Sequence, residues 1–290
     1  MHAQPGIAAV VITYHPPAQF VKNVLSYASF VDVVYVFDNS YPAADLQSLQ
    51  NNSNIQVITN GENLGIAANL NKAASMGMKA GYRWLLTMDQ DSCFAAGAFE
   101  QYLRCVRAYG HFDAVAQFGP AYGLTNKETQ IQCEGTRVDN LITSGSLLNL
   151  THFEAIGRFD EHLFIDLVDI DYCIRARAAG LQLVRFNNVF LQHNLGHTVR
   201  RASIKTAFLK KKLKQVHNPL RCYYIFRNML YLCSKLEATA PDAVKDMRST
   251  VKGVLKVNFF YGRFSGKMMS YLIKAKKDYA AGRMGRIQEA

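Results

Sequence analysis

The order of apolar and polar positions divides the chain into two stretches of different character. Residues 7–14 (Ile7, Ala8, Ala9, Val10, Val11, Ile12, Thr13, Tyr14) are an unbroken apolar and β-branched run. That is the pattern of a strand buried on both faces of a parallel sheet. His15-Pro16-Pro17 ends the run, and residues 18–29 read as a helix. A second run, 31–37, stops at Asp38-Asn39-Ser40, polar residues suited to a strand-end turn. Residues 54–58 read as a third strand, 60–65 as a Gly/Asn-rich loop, 66–80 as a helix and 84–88 as a strand ending at Asp89-Gln90-Asp91. Strands that alternate with helices and break off in polar clusters predict an open α/β sheet. Ligands of such sheets bind at the carboxyl ends of the strands.

Beyond residue 110 the alternation weakens. Residues 113–119, 131–150 and 181–186 read as further strands, and 166–179 as a helix. From residue 200 the pattern turns helical. Over 203–216, Ile204, Phe208, Leu209, Leu213 and Val216 fall on one helical face, and Lys205, Lys210, Lys211, Lys212 and Lys214 mostly cover the rest. Residues 219–236 and 240–280 continue in helical period. The expected division is a catalytic α/β domain over 1–200 and a basic helical region over 201–290.

Composition bounds this picture. In 290 residues, 49% are hydrophobic and 19% charged, an ordinary globular balance that excludes wholesale disorder and a collagen-like polymer. No apolar run approaches the ~20 residues of a spanning helix, and the first residues lack a basic segment leading into an apolar one. The six cysteines (93, 105, 133, 173, 222, 233) are scattered, without C-x-x-C spacing. They read as reduced thiols in a cytoplasmic protein. Residues 200–290 hold 21 Lys/Arg against 5 Asp/Glu, and residues 1–199 hold 12 against 17, so the formal charge of +11 belongs to the last third. A mildly acidic part suits a cation. A basic part suits an anionic partner: nucleic acid, an anionic bilayer or a phosphate-bearing substrate.

Chemistry concentrates at few places. Asp89 and Asp91 can bring hard oxygen ligands to one Mg2+ or Mn2+ that also holds a diphosphate, or can simply form a solvated turn. Asp166, Asp169 and Asp171 crowd the start of a helix among apolar residues. Arg175, four residues after Asp171, makes a structural ion pair with it plausible, which leaves Asp169 as a candidate general base. Helix-start charge matching by all three acids accounts for the same spacing. His193 and His197 follow the strand at 181–186 and suit a metal or phosphate contact, or an ordinary structural histidine. The loop Asn63-Leu64-Gly65 opens a helix whose amides can approach a phosphate. Ser144-Gly145-Ser146 is a small polar turn able to line a pocket. G-x-G-x-x-G, G-K-[ST] and G-x-S-x-G are absent, so dinucleotide, P-loop and serine-hydrolase chemistry have no support.

The ordered set of 10–14, 37–40, 63–71, 85–91 and 168–175 resembles glycosyltransferase family 2, inverting, metal-dependent enzymes of GT-A fold. Residues 89–92, 144–148, 157–166, 223–228 and 281–285 resemble the bacterial rhamnosyltransferases within it. The resemblance implies that Thr13, Tyr14 and Asp38 line the nucleobase and ribose pocket, that Asn63, Gly65 and Asn71 shape its wall, and that Asp89 lies near the ribose. It further implies Asp91 as metal ligand with His193 beside the metal or diphosphate, and Asp169 as catalytic base. Many relatives carry Glu immediately before that base, where this chain has Val168, and Asp171 is the next candidate. Ser144, Gly145, Asp166, Asp171 and Arg175 are secondary, acceptor-side positions. The implied donor is dTDP-L-rhamnose, and the implied acceptor a lipid-diphosphate-linked glycan at the inner face of the cytoplasmic membrane. The basic helix at 203–216 would rest on anionic lipid there. Another donor, such as UDP-galactofuranose, keeps the same fold. A nucleic-acid-binding protein using the basic helices is the reading from a different class, and it leaves the acidic strand ends without a purpose.

Overall fold

A computed structural model of the chain describes residues 6–123, 133–193, 198–201, 211–262 and 265–288, with backbone only for His193, Thr198, Lys212 and Ser265. They fall into two compact units. One comprises Met1–Glu161 with Asp169–Asn194, the other His162–Val168 with Leu195–Ala290.

The first unit is built on a mixed sheet. Its elements run β1 (Ile7–Thr13), α1 (Phe20–Ala28), β2 (Val33–Asp38), α2 (Gln47–Gln50), β3 (Ile55–Thr59), α3 (Gly65–Lys79), β4 (Trp84–Asp89), β5 (Ser92–Phe94), α4 (Ala98–Tyr109), β6 (Val115–Tyr122), β7 (Gly135–Arg137), β8 (Ser146–Asn149), α5 (Phe153–Ile156), α6 (Val168–Ala178) and β9 (Gln182–His193). The strand order is β3-β2-β1-β4-β8-β6-β9-β5, with β7 also on β9. Strands β3, β2, β1 and β4 are mutually parallel, and β8 lies antiparallel between β4 and β6. The apolar run of β1 is buried nearly end to end because helices cover both faces of a parallel sheet. One core face is aromatic: the Phe118 and Phe186 rings stack 5.6 Å apart, with Trp84 tilted against Phe118. Each such ring contributes about 1.5–3 kcal/mol by burial.

Strand β9 runs well past the expected end at 186. Its Asn187-Asn188 step looks like a stop, but the β6–β9 register shifts between Pro120 and Ala121, and the strand goes on to pair with β5. A bulge absorbs the polar pair without ending the strand. The cysteines also differ from expectation: Cys105 and Cys133 form a disulfide, with Cα atoms 5.1 Å apart, while Cys93, Cys173, Cys222 and Cys233 are free thiols. The fold brings together two cysteines 28 residues apart, a separation that no spacing rule flags.

The second unit contains β10 (Thr198–Arg201), β11 (Lys212–Gln215), α7 (Pro219–Leu236), α8 (Pro241–Tyr261) and α9 (Ser265–Ala280). The helix expected over 203–216 is not what forms at its described end: Lys212–Gln215 is a strand, antiparallel to β10. Residues 202–210, including Ile204 and Phe208, lie outside the described residues. Lys-Leu-Lys-Gln alternates with period two as readily as it fits a helical face, and pairing with 198–201 decides for strand. Helix α7 starts where its sequence says: Asn218 Oδ1 accepts from the Arg221 amide at 2.7 Å, and Pro219 occupies the first turn.

The segment 162–168 is held inside this unit by α7. Phe164, Asp166 and Leu167 have positive φ, a backbone region that costs non-glycine residues of order 1–3 kcal/mol each. The buried Asn228 side chain donates to the carbonyls of Leu163, Ile165 and Asp166 at 2.8–3.0 Å, and Arg221 pairs with the Asp166 carboxylate at 2.9 Å. Among the described residues, no helix is long and apolar enough to cross a membrane.

Candidate active site

Strand order fixes where a ligand can enter. The chain runs outward from β1 to β2 to β3 and then returns to the other side of β1 with β4. A doubly wound sheet opens a crevice at the carboxyl ends where its order reverses, here between β1 and β4. Register places the predicted residues at that edge: Thr13 is opposite Asp38, and Ile12 is opposite Asp89.

Gln90, which sequence reasoning passed over as the spacer between two acids, ties these strand ends together. Its Oε1 accepts from the Thr13 hydroxyl at 2.7 Å and the Tyr14 amide at 2.9 Å. Its backbone carbonyl accepts from Asn23 at 3.0 Å. Thr13 is fully buried, whereas the Tyr14 ring is 47% exposed at the mouth of the crevice.

Asp38 is buried, and its two carboxylate oxygens accept the amides of Ser40 and Ala44 at 2.9 and 2.7 Å. The carboxylate shapes the loop after β2. Beside it, Asn39, Asn60, Asn63 and Asn69 form a closed network: the Asn60 amide donates to the Asn39 and Asn69 oxygens, and the Asn69 amide to the Asn39 oxygen. Asn39 in turn donates to Asn63, whose oxygen also accepts the Gly65 amide at 3.0 Å. Gly65 has φ +80, which glycine adopts without strain, and this lets α3 begin at that point. Of the four asparagines, only Asn63 was given a site role from the sequence; Asn39 was placed at a strand-end turn, and the Gly/Asn-rich loop was the available signal for Asn60. Asn71 belongs elsewhere. It exchanges hydrogen bonds with the Phe159 backbone at 2.9 Å and donates to Glu161 at 2.8 Å, so its polar atoms anchor 159–161.

On the other side of β4, Ser144 is fully buried and its hydroxyl accepts the Asp89 amide at 3.2 Å. Gly145 has φ +77, and a Cβ there would meet Pro120 at 2.8 Å. The turn therefore packs tightly against the strand end. His193 lies opposite Ser92, the residue after Asp91, in the β5–β9 pair. His197 lies outside the described residues.

Asp169 occupies the first turn of α6, where one carboxylate oxygen accepts the Ile170 amide at 2.9 Å. Helix N-termini favour the ionised carboxylate. Burial pushes the phenol of Tyr122, at the end of β6, well up, and the charges of Asp169 and Asp89 push it further, so it stays neutral at physiological pH. Asp171 is fully buried and makes a two-point pair with Arg175 at 2.6 and 2.9 Å. The same guanidinium also donates to the carbonyls of Ile156, Gly157 and Arg158. Asp166 and Arg221 form their own pair within the second unit, where burial raises the carboxyl and Arg221 opposes the rise.

Comparison with known proteins fits this architecture. Residues 10–164 match the model of glycosyl transferase family 2. The chain belongs to glycosyltransferase family 2. This glycosyltransferase is 24% identical over 249 residues to the dTDP-rhamnosyl transferase RfbF of Shigella flexneri, covering 79% of this chain and 80% of that protein. Its fold resembles residues 1–349 of S. aureus TarS, with TM-score 0.54, 13% identity, and coverage of 94% of this chain and 80% of that one. It also resembles GalNAc-T7 determined with UDP, GalNAc and Mn2+, with TM-score 0.51 and 13% identity, over 67% of this chain and 44% of that one.

Carboxylates at the end of β4 are hard oxygen ligands that suit a divalent cation. Asp89 and Asp91 offer two carboxylates at spacing i, i+2. Among the described residues no group of three or more His, Cys, Asp or Glu converges on one point. A cation of the Mg2+ kind needs no protein cage, because it is held by one or two carboxylates with substrate phosphates and water completing its shell. The residues present fit that arrangement.

Proposed function

We propose that the chain transfers L-rhamnose from dTDP-L-rhamnose to a hydroxyl of a lipid-diphosphate-linked surface glycan, with inversion at the anomeric carbon. The observation that carries this reading is the convergence of Thr13, Asp38 and the Asp89–Asp91 turn at the crevice between β1 and β4, joined to the similarity to a dTDP-rhamnosyl transferase. Tyr14 and the buried Asp38 loop frame the nucleobase and ribose, with Asp89 beside the ribose. Asp91 and His193 would hold Mg2+ or Mn2+, which supplies Lewis-acid stabilisation of charge developing on the leaving diphosphate.

Asp169 removes the proton of the acceptor hydroxyl as that oxygen bonds to the anomeric carbon. The bond from that carbon to the diphosphate oxygen breaks in the same displacement, and dTDP departs with the electron pair. Attack from the face opposite the leaving group inverts the centre without a covalent sugar–enzyme bond. Asp171 is unsuited to the role of base because Arg175 holds it in a buried pair. The acceptor's lipid places the reaction at the inner face of the cytoplasmic membrane, and the basic C-terminal third supplies the charge for peripheral attachment.

Calorimetric titration of dTDP, UDP and GDP into the full chain, with and without Mg2+ or Mn2+, tests the reading. Metal-dependent binding of dTDP in clear preference to UDP is the expected result. A UDP preference replaces the donor sugar and keeps the mechanism, whereas binding of no nucleotide under any condition overturns the assignment.

A further inference from the structure

The second unit contains a cavity of about 510 Å3 lined by none of the residues assigned above to donor, metal or base. Tyr223, Arg227, Lys274, Asp278, Arg283 and Arg286 are among its lining residues. Four cations thus face one carboxylate. That carboxylate is already shared, accepting Tyr223 at 2.7 Å, Arg283 at 2.8 Å and Lys274 at 3.4 Å.

Arg227 has no carboxylate partner among the described residues. It is 1% exposed, its Nη atoms donate to the Tyr223 hydroxyl and to the Gly285 carbonyl at 3.1 and 2.6 Å, and its Nε has no hydrogen-bond acceptor. The rings of Tyr223 and Tyr224 lie 5.1 and 5.2 Å from the guanidinium carbon and offset part of its charge. A buried cation whose hydrogen-bond partners are all neutral is costly unless a nearby anion offsets its charge. An excess of three positive charges in a concave site matches a multivalent anion better than a single carboxylate, and guanidinium forks match phosphate oxygens.

We propose that this cavity is an anion site for a phosphate or diphosphate group, carried by a soluble phosphate compound or by a lipid headgroup. The proposal stands on the second unit alone and is independent of the donor assignment.

The test is titration of inorganic pyrophosphate into the full chain in EDTA at about 0.15 M salt, where diffuse surface attraction is screened. Saturable binding is expected, weakened at least about tenfold in Lys274→Gln/Arg286→Gln, two cations exposed enough to be replaced without unfolding the unit. The control Lys245→Gln/Lys252→Gln removes the same charge from the exposed face of α8 and leaves binding unchanged. Asp91→Ala, which removes metal-dependent nucleotide binding, also leaves pyrophosphate binding unchanged, so the two sites are read separately.

Co-sedimentation with phosphatidylglycerol vesicles distinguishes the sources. Sedimentation lost in the cavity variant and kept in the control identifies a lipid headgroup. Pyrophosphate binding without vesicle binding identifies a soluble phosphate. Absence of saturable pyrophosphate binding, or equal weakening in both double variants, overturns the proposal.

Discussion

The carboxamide of Gln90 satisfies one side chain and one backbone amide of the β1 end at the same time, which fixes Tyr14 at the mouth of the crevice. Because neither bond touches reacting atoms, Gln90→Ala should act on donor binding and spare the chemical step. Losing two hydrogen bonds of about 1 kcal/mol each predicts a rise in the donor KM of up to about thirtyfold. Steady-state kinetics check this; a fall in kcat with KM unchanged would contradict the positioning role. Asp169 makes the opposite prediction. Asp169→Asn keeps the shape and the hydrogen bond to Ile170 but removes the proton acceptor, so kcat should fall by about 10²–10⁴ while calorimetric nucleotide affinity stays the same. Near wild-type turnover would eliminate Asp169 as the base. Both carboxylates flanking Gln90 were legible in the sequence from their place at a strand end. Gln90 was not, because a spacer glutamine shows its use only once β1 and β4 are neighbours. Asn71 is the converse case: its place in a motif says nothing of a partner 88 residues away.

At the level of elements, local rules identified what local interactions stabilise. The asparagine cap and Pro219 mark the start of α7, and the apolar runs mark β1, β2 and β4. The strand at 212–215 and the extension of β9 were hidden because each depends on pairing with a distant segment. The packing of α7 against α9 offers a pH prediction. Burial raises the Asp278 carboxyl, but Tyr223, Arg283 and Lys274 outweigh it and hold it below its ordinary value. A carboxylate depressed in the folded state stabilises the fold above its unfolded pKa, and that contribution is lost as pH falls through the folded value. Asp278→Asn should therefore cost about 1–3 kcal/mol near neutral pH. The variant should also lose less stability than the wild-type chain as pH drops below about 4, the ordinary aspartate value. Urea denaturation at neutral and acid pH measures both effects, and parallel acid profiles for the two proteins would refute the assignment.

Across the whole molecule, charge and topology separate two kinds of anion chemistry. Under the proposed function, the acidic strand ends of the first unit take a diphosphate only together with a cation, because two aspartates facing phosphate oxygens repel them. The basic second unit can take phosphate directly. Composition already showed this division, since +16 falls after residue 199 against −5 before it. A site at the carboxyl ends of the strands was readable from the alternation, but that the crevice opens between β1 and β4 was not, because strand order decides which loops meet. The division has a consequence for stability. A ligand that binds only the folded chain stabilises it by an amount set by its concentration over Kd, about 2.7 kcal/mol at a hundredfold excess. For dTDP this should raise the melting temperature only when Mg2+ or Mn2+ is present, and EDTA should reverse it. In Asp91→Ala the metal-dependent shift should vanish, whereas inorganic pyrophosphate should still shift melting without metal through the basic cavity. If dTDP shifts melting equally with and without cation, and Asp91→Ala leaves that shift intact, the strand-end acids are not a metal-dependent diphosphate site.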